Sequence, residues 1–292
     1  MARLKALLWD VDGTLAETER DGHRVAFNRA FAAHLLPWRW DVACYGELLA
    51  VTGGRERILH YLASRGLGPA GPDARDALAR ELHAAKNRHY AALMRAGGLP
   101  LRAGVRELLQ ASRASGLRQA IVTTTSRANV DILLRTHLGA DWHVGFATIV
   151  CGEDVQRKKP DPEAYLRALA GLGLDPADAL AIEDSPAGAA AATAARVPVI
   201  VTRSAYFAHA SFDAVLAIGP GLHARRDWSP PAPARARAPA RAPVALADLA
   251  HWHALAGRPD APAGPPLRPR RASAASSRPS SSPPIPRRST RG

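Results

Sequence analysis

The stretch LLWDVDGTLAETE, residues 7–19, joins an apolar run to two closely spaced carboxylates. The run that ends at Trp9 has the composition of a buried parallel strand. Asp10 and Asp12 follow it at the i, i+2 spacing that places two side chains on one face of a strand, and Gly13 allows a sharp turn. Open α/β sheets bind ligands at the carboxyl ends of their strands. Because crowded carboxylates repel each other, the stretch predicts a hard divalent cation such as Mg²⁺ at this edge.

Three later segments also place polar side chains at strand or helix ends. RQAIVTTTS predicts a strand that ends at Thr123, whose hydroxyl can donate to a phosphoryl oxygen. In KKPDPEAYLRAL a helix start of Asp and Pro follows closely after Lys159. ADALAIEDSPAGAA predicts a short strand that ends in Glu183 and Asp184. Each segment alone also fits an ordinary strand end, a turn or a solvated surface pair, but their common placement favours a shared site.

The order Asp-x-Asp, Thr, Lys and Glu-Asp along the chain resembles that of the haloacid dehalogenase (HAD) superfamily of phosphohydrolases. The interval 16–95 suits the helical cap that these enzymes insert after the first strand. Further stretches, among them YGELLAVTGGRERILHYL, GGLPLRAGVRELL and TTTSRANVDILL, are similar to the CbbY-type xylulose-1,5-bisphosphate phosphatases, which accompany the Calvin cycle. The similarity runs from about Leu4 to about Asp213, and its departures, such as Ala103 for Pro, remove no catalytic group.

The resemblance implies an α/β fold, with a doubly wound parallel sheet and an inserted α-helical cap. It also implies phosphomonoester hydrolysis through a covalent aspartyl-phosphate. Asp10 would be the nucleophile, and Asp12 would act first as acid and then as base. Thr123 and Lys159 would bind the phosphoryl oxygens. The Mg²⁺ ligands that the resemblance implies are Asp10, Asp12 through its carbonyl, Asp184, and Glu183 as a ligand or a support.

The resemblance further implies a substrate pocket shared by the cap and the core. Its predicted residues are Glu17, His23, Tyr45, Gly53, Gly54, Arg55, Arg57 and Thr124. In VTGGRER two glycines expose backbone N–H groups at a helix start beside two arginines, which is a place that can bind phosphate. A Gly-Gly pair alone is usually a turn, and His23 also fits a residue on a helix surface. The expected partner is a small phosphorylated sugar, and the expected state is a monomer.

Strand and composition patterns divide the chain into five parts. The strand candidates are Leu4–Asp10, Gln119–Thr123, Ala147–Val150, Ala179–Glu183, Pro198–Val201 and Ala214–Ala217. The parts are a catalytic core (1–15 and 96–222), a helical cap (16–95), a Pro/Ala/Arg linker (223–243), a short helix (244–256) and a disordered basic tail (257–292).

The formal charge of +13 belongs mostly to the end of the chain. From Arg225 onward there are 13 arginines and three aspartates, which leaves 26 basic and 23 acidic residues before that point. No apolar run has the roughly 18 residues of a membrane span, and the N-terminus enters a strand instead of a signal peptide. Two cysteines provide no disulfide framework, so we expect a cytoplasmic protein without a membrane partner.

Three other functions compete with the phosphatase. A mutase of the β-phosphoglucomutase kind shares every core motif, and analysis of products separates the two. A dehalogenase lacks the second Asp of the first segment, so Asp12 argues against it. A nucleic-acid-binding protein would use the Arg-rich tail, but the tail has few aromatic residues and no recognisable binding fold. The tail also fits a shifted reading frame in GC-rich DNA.

Overall fold

A six-stranded parallel sheet forms the centre of the protein, seen in a computed structural model that describes residues 4–233 and 242–256. Its strands are β1 (Ala6–Trp9), β2 (Arg118–Val122), β3 (Thr148–Val150), β4 (Ala179–Glu183), β5 (Val199–Thr202) and β6 (Ala217–Gly219). Their order in the sheet is β3-β2-β1-β4-β5-β6, and every neighbouring pair is parallel. Because β1 lies between β2 and β4, the ends of these three strands adjoin.

Both faces of the sheet are buried, which explains the continuous apolar sequence of β1. Leu7 and Trp9 pack into the hydrophobic cluster on one face, whereas Ala6 and Leu8 pack into the cluster on the other. The predicted doubly wound α/β sheet is confirmed. The last strand is displaced from its predicted position at 214–217, because Ala214 has a φ of +53°, which does not fit an extended strand.

Helices cover the sheet and build the cap. Those within the described residues are α1 (Arg24–Ala33), α2 (Val42–Leu48), α3 (Gly54–Arg65), α4 (Pro72–Arg95), α5 (Val105–Ala114), α6 (Arg127–Leu138), α7 (Glu163–Leu172), α8 (Pro186–Ala194) and α9 (Leu246–Leu255). A π-helical turn, Glu19–His23, precedes α1, and short 3₁₀ turns lie at Trp142–Gly145 and Pro176–Asp178. No helix in residues 4–233 or 242–256 is long and apolar enough to cross a bilayer.

Helices α1 to α4 lie between β1 and α5 in the chain and enclose their own aromatic core. Phe27, Phe31 and Trp40 are fully buried there, and the rings of Phe27 and Trp40 lie 4.7 Å apart. Helix α4 begins with Pro72 at its first position, where the missing N–H costs no hydrogen bond. Helix α1 ends at Ala33, and Leu35 beyond it is 92% exposed.

The C-terminal segment packs against the core through two stacked tryptophans. The rings of Trp228 and Trp252 lie 4.4 Å apart and both are buried. Arg225 forms an ion pair of 2.8 Å with buried Asp248 at the start of α9. Residues 223–233, predicted as part of a linker, therefore contribute to the core in this structure. Residues 234–241 and the predicted tail 257–292 lie outside the described residues.

Candidate active site

A buried ion pair between Asp10 and Lys159 lies at the carboxyl end of β1. Lys159 Nζ donates to Asp10 Oδ1 at 2.8 Å, to Glu183 Oε1 at 2.6 Å and to the Val122 carbonyl at 2.8 Å. Burial alone would lower the pKa of Lys159, but the two carboxylates raise it, so the side chain remains an ammonium. One cation therefore links the ends of β1, β2 and β4, which are far apart in the chain.

Asp10, Glu183 and Asp184 form an acidic cluster in which one carboxylate oxygen from each residue lies within 4.8 Å of the other two. Glycines make room for it, because a Cβ on Gly13 would lie 1.9 Å from Asp184 Oδ2 and one on Gly188 would lie equally close to Glu183 Oε2. Glu183 Oε2 is buried and has no hydrogen-bond partner among the described residues. A buried oxygen without a donor, beside two other carboxylates, fits Mg²⁺, which prefers oxygen ligands.

Burial, together with the neighbouring carboxylates, raises the pKa of two members of the acidic cluster. Burial raises the pKa of Asp10 to about 7, with Lys159 opposing the rise and Glu183 adding to it. Burial, and then the charges of Asp10 and Glu183, raises the pKa of Asp184 well above its ordinary value. A divalent cation would offset this repulsion and keep the carboxylates ionised.

Asp12 lies beside the acidic cluster but takes its partners from the cap side. Its Oδ1 accepts a 2.5 Å hydrogen bond from Thr18 Oγ1, and His23 Nε2 lies 2.8 Å away. Burial opposes ionisation of Asp12, but His23, Thr18 and Lys86 outweigh it and bring the pKa of Asp12 to about 2. His23 is 3% exposed and stacks on Tyr90 at 4.3 Å, so it faces inward instead of lying on the helix surface.

Two adjoining cavities lie between the core and the cap. The larger, of about 520 Å³, is lined by Asp10, Thr123, Lys159 and Asp184 among others. The smaller, of about 100 Å³, is lined by residues of both the cap and the core, including His23, Gly53 and Gly54 of the cap. Residues that line both are Asp12, Glu19, Arg57 and Thr124. The structure thus brings Asp10, Asp12, Thr123, Lys159 and Asp184 to one cavity that also borders the cap, whereas Glu183 lines neither cavity.

Arg57 is held rigidly at the border of the two cavities. The side chain is buried, and its Nη1 donates to Tyr45 Oη at 2.7 Å and lies 3.7 Å from Glu19 Oε2. Tyr45 in turn donates to Glu19 Oε2 at 2.5 Å. Tyr45, predicted as a substrate ligand, therefore supports Arg57 and lines neither cavity.

Besides Tyr45, two more predicted substrate ligands line neither cavity. Arg55 is only two residues from Arg57, but helical residues two apart point in different directions. The Arg55 guanidinium therefore pairs with Asp76 on α4 instead of reaching the cavities. Glu17 accepts a hydrogen bond from the Ala205 backbone N–H at 3.3 Å and lies 3.6 Å from Arg102. The structure does not bring Arg55 or Glu17 to the substrate side of the cap.

The model of the haloacid dehalogenase-like hydrolase family matches residues 4–196. The chain belongs to the haloacid dehalogenase-like hydrolases. It is an enzyme, a phosphatase of this family, and the resemblance seen in its four polar segments is confirmed.

Several relatives of this HAD-like hydrolase carry the name CbbY. The plasmid CbbY of Cupriavidus necator is 45% identical over 254 residues, which cover 86% of this chain and 97% of that protein. Rhodobacter capsulatus CbbY is 49% identical over 203 residues, covering 70% of this chain and 87% of that protein. The crystal structure of Rhodobacter sphaeroides CbbY with phosphate is 40% identical, with a TM-score of 0.68, and covers 73% of this chain and 92% of that chain. A mutant of the same protein, with a TM-score of 0.67 and the same identity and coverage, was solved in complex with xylulose-1,5-bisphosphate.

Sequence reasoning missed five charged residues of this HAD-like hydrolase that line the cavities. They are Glu19, Glu47, Lys86, Glu153 and Lys158. Lys86 is 3% exposed, and its Nζ has an uncharged hydrogen-bond partner, Asn87 Oδ1, at 3.4 Å. Burial lowers the pKa of Lys86 to about 8. Its position four residues after buried Leu82 was the available signal, because a lysine on the apolar face of a helix requires an explanation.

Proposed function

We propose that this phosphatase removes one phosphate from a small sugar bisphosphate, with xylulose-1,5-bisphosphate as its substrate. The observation that carries the proposal is a second cavity beside the one that Asp10 and Asp184 line, and the two cavities share Asp12 and Arg57. The cations Arg57, Lys86 and Lys158 line this second cavity together with the carboxylates Asp12, Glu19 and Glu153. One phosphate would bind at Asp10 and the other in the smaller cavity. The complex of the Rhodobacter sphaeroides protein with this sugar supports the choice.

The reaction proceeds in two displacements at phosphorus. Asp10 attacks the phosphoryl group, and the bond to the sugar oxygen breaks while Asp12 delivers a proton to that oxygen. Water then attacks the aspartyl-phosphate, gives its proton to Asp12 and releases inorganic phosphate. Thr123 and Lys159 stabilise the phosphoryl oxygens, and loss of one such contact typically costs ~2.7–4 kcal/mol of barrier.

Asp12 must gain a proton before it can act as an acid. With Thr18 and His23 bound, its pKa of about 2 keeps it ionised. Separation from these two partners would raise the pKa, because burial then disfavours the charged form. We infer that Asp12 leaves the Thr18 and His23 contacts before it takes up the proton that it then delivers to the leaving oxygen.

Magnesium would be held by Asp10, Asp184 and the backbone carbonyl of Asp12, with Glu183 as a ligand or a support. When bound, the ion neutralises phosphoryl charge and orients the group for in-line attack. The Lys159 ammonium donates hydrogen bonds to both Asp10 and Glu183. The Asp10 carboxylate is therefore already held in position to act as the nucleophile.

The second phosphate would meet a set of cationic groups. Lys86 and Arg57 are buried and face the smaller cavity, and Lys158 lies at the same wall. Gly53 and Gly54 lie at the N-terminus of α3, where backbone N–H groups favour an anion. These groups explain why a bisphosphate would bind better than a monophosphate.

Two neighbouring arginines offer a matched test of the substrate. Arg57→Ala should reduce kcat/KM for xylulose-1,5-bisphosphate at least tenfold more than for p-nitrophenyl phosphate, since the latter has no second phosphate. Arg55→Ala, which removes an equal charge outside the cavities, should change neither value. Equal losses on both substrates in Arg57→Ala would show that the smaller cavity does not bind a phosphate.

Analysis of products separates hydrolysis from phosphoryl transfer between positions of the sugar. A panel of phosphosugars with Mg²⁺ should release inorganic phosphate, most rapidly from xylulose-1,5-bisphosphate. An isomeric phosphosugar as the main product, in the presence of a bisphosphate activator, would identify a mutase instead.

The domain division is part of the proposal. We infer that 1–15 and 96–222 act as the catalytic core and that 16–95 act as a cap that closes over the substrate. Cys151 is buried and Cys44 is partly buried, and both are free thiols, which supports a reducing cytoplasm.

A further inference from the structure

Arg102 lies where the cap joins the core, and it lines neither of the two cavities. The chain leaves the core at Ala16 and returns at Leu101, and these two residues form a short antiparallel bridge. The backbone N–H of Arg102 donates to the Leu15 carbonyl at 2.8 Å. Its side chain turns inward, is 12% exposed and has Nε 3.6 Å from Glu17 Oε1.

The guanidinium of Arg102 bonds to three separate loops of the core. Nη1 donates to the carbonyl of Gly13 after β1 and, at 3.2 Å, to that of Thr202 at the end of β5. Nη2 donates to the carbonyls of Arg203 at 2.6 Å and Pro220 at 3.2 Å. Because arginine presents its five N–H donors in one rigid plane, these loops are held at fixed separations.

Two of these loops contact the acidic cluster. Gly13 comes so close to Asp184 that a Cβ there would lie 1.9 Å from Oδ2. After β5, the Ser204 side chain lies close enough to Asp184 to lower the pKa of that carboxyl, and Thr202 Oγ1 lies 3.5 Å from the Glu183 carbonyl. A shift of either loop would therefore change the distance between Asp10, which follows β1, and the carboxylates of Glu183 and Asp184 at the end of β4.

We propose that Arg102 is a positioning residue that holds the loop after β1 in register with the loop after β5, and so sets the spacing of the acidic cluster for a divalent cation. This inference rests on the proposed function, because it assigns the acidic cluster to a metal. Groups that orient metal ligands typically contribute 10–100-fold to metal affinity or activity. Arg102 acts through other residues and touches no substrate.

The test compares Arg102→Met and Arg102→Lys with the wild-type protein. Mn²⁺ binding to the substrate-free protein, followed by electron paramagnetic resonance, should weaken about tenfold or more in both variants. The kcat for p-nitrophenyl phosphate should fall in parallel, while KM stays nearly unchanged, because no substrate contact is lost. Lysine restores the charge but not the planar fork, so it should not restore Mn²⁺ affinity.

Arg225→Met is the matched control, since Arg225 is equally buried, with an 11% exposed side chain, and joins two segments remote from the site. It should lower the melting temperature and leave Mn²⁺ affinity and kcat unchanged. If Arg102→Met does not fold, Arg102→Gln keeps two N–H donors and takes its place.

Wild-type Mn²⁺ affinity in a folded Arg102 variant, or full recovery in Arg102→Lys, would overturn the inference. So would an equal loss in Arg225→Met, because the effect would then be general destabilisation. A wild-type protein that binds Mn²⁺ but hydrolyses no phosphate ester would refute the proposed function instead, so the two failures are distinguishable.

Discussion

Replacing Lys86 by Met should make the protein more stable and a poorer enzyme. The pKa of Lys86 falls from its ordinary 10.5 to about 8, first because of burial, with Asp12 and Glu19 opposing the fall. This difference corresponds to about 3 kcal/mol of cost for the buried ammonium at neutral pH. The substitution also removes the cation–π contacts of Lys86 with Phe27 and Tyr90, each at 5.3 Å, and this loss offsets part of the stability gained.

We therefore expect the free energy of unfolding of Lys86→Met to exceed that of the wild-type protein by ~1–2 kcal/mol at pH 7. Each kcal/mol should raise the melting temperature by about 2–4 °C. The gain depends on pH with a definite sign. Between pH 8 and 10.5 the unfolded chain keeps the Lys86 proton that the native protein has lost. Wild-type stability should thus rise relative to Lys86→Met across this window, and the difference between the two should shrink.

The same substitution should raise KM for xylulose-1,5-bisphosphate roughly 10–100-fold, since a charged hydrogen bond is worth about 1.5–3 kcal/mol. Hydrolysis of p-nitrophenyl phosphate should change far less. Arg88→Met, which removes a charge from the exposed face of the same helix, is the control and should alter neither stability nor KM appreciably. A lower melting temperature for Lys86→Met, or equal losses on both substrates, would refute this account of the smaller cavity.

Three further predictions concern the core and the tail. Asp10→Asn should reduce turnover to background while the melting temperature stays the same or rises, because one charge leaves the acidic cluster; wild-type turnover in the folded variant contradicts the nucleophile assignment. Asp184→Asn should raise the Mg²⁺ concentration for half-maximal activity about tenfold or more, and full activity in excess chelator would exclude a metal requirement. Ending the chain after Ala256 should preserve turnover and melting temperature while lowering the pI, and loss of either would make 257–292 a working part of the enzyme.

The sequence by itself determined the sheet and the chemistry at its edge. An apolar run buried on both faces has few alternatives to a central parallel strand, so β1 and the residues after it could be predicted. Asp10, Thr123, Lys159 and Glu183 each stand at a local signal, a strand end or a helix start. Local signals are sufficient there because the carboxyl ends of neighbouring parallel strands necessarily meet.

The tertiary structure alone decided which side chains of the cap face the substrate. Arg55 and Arg57 share one short motif, but only Arg57 turns toward the cavities, since helical residues two apart point in different directions. Lys86 becomes a site residue only when α4 packs beside Asp12, and Trp228 joins the core only when it stacks on Trp252. These roles depend on contacts between residues distant in the chain, and sequence periodicity reports only the face of an element, not what packs against it.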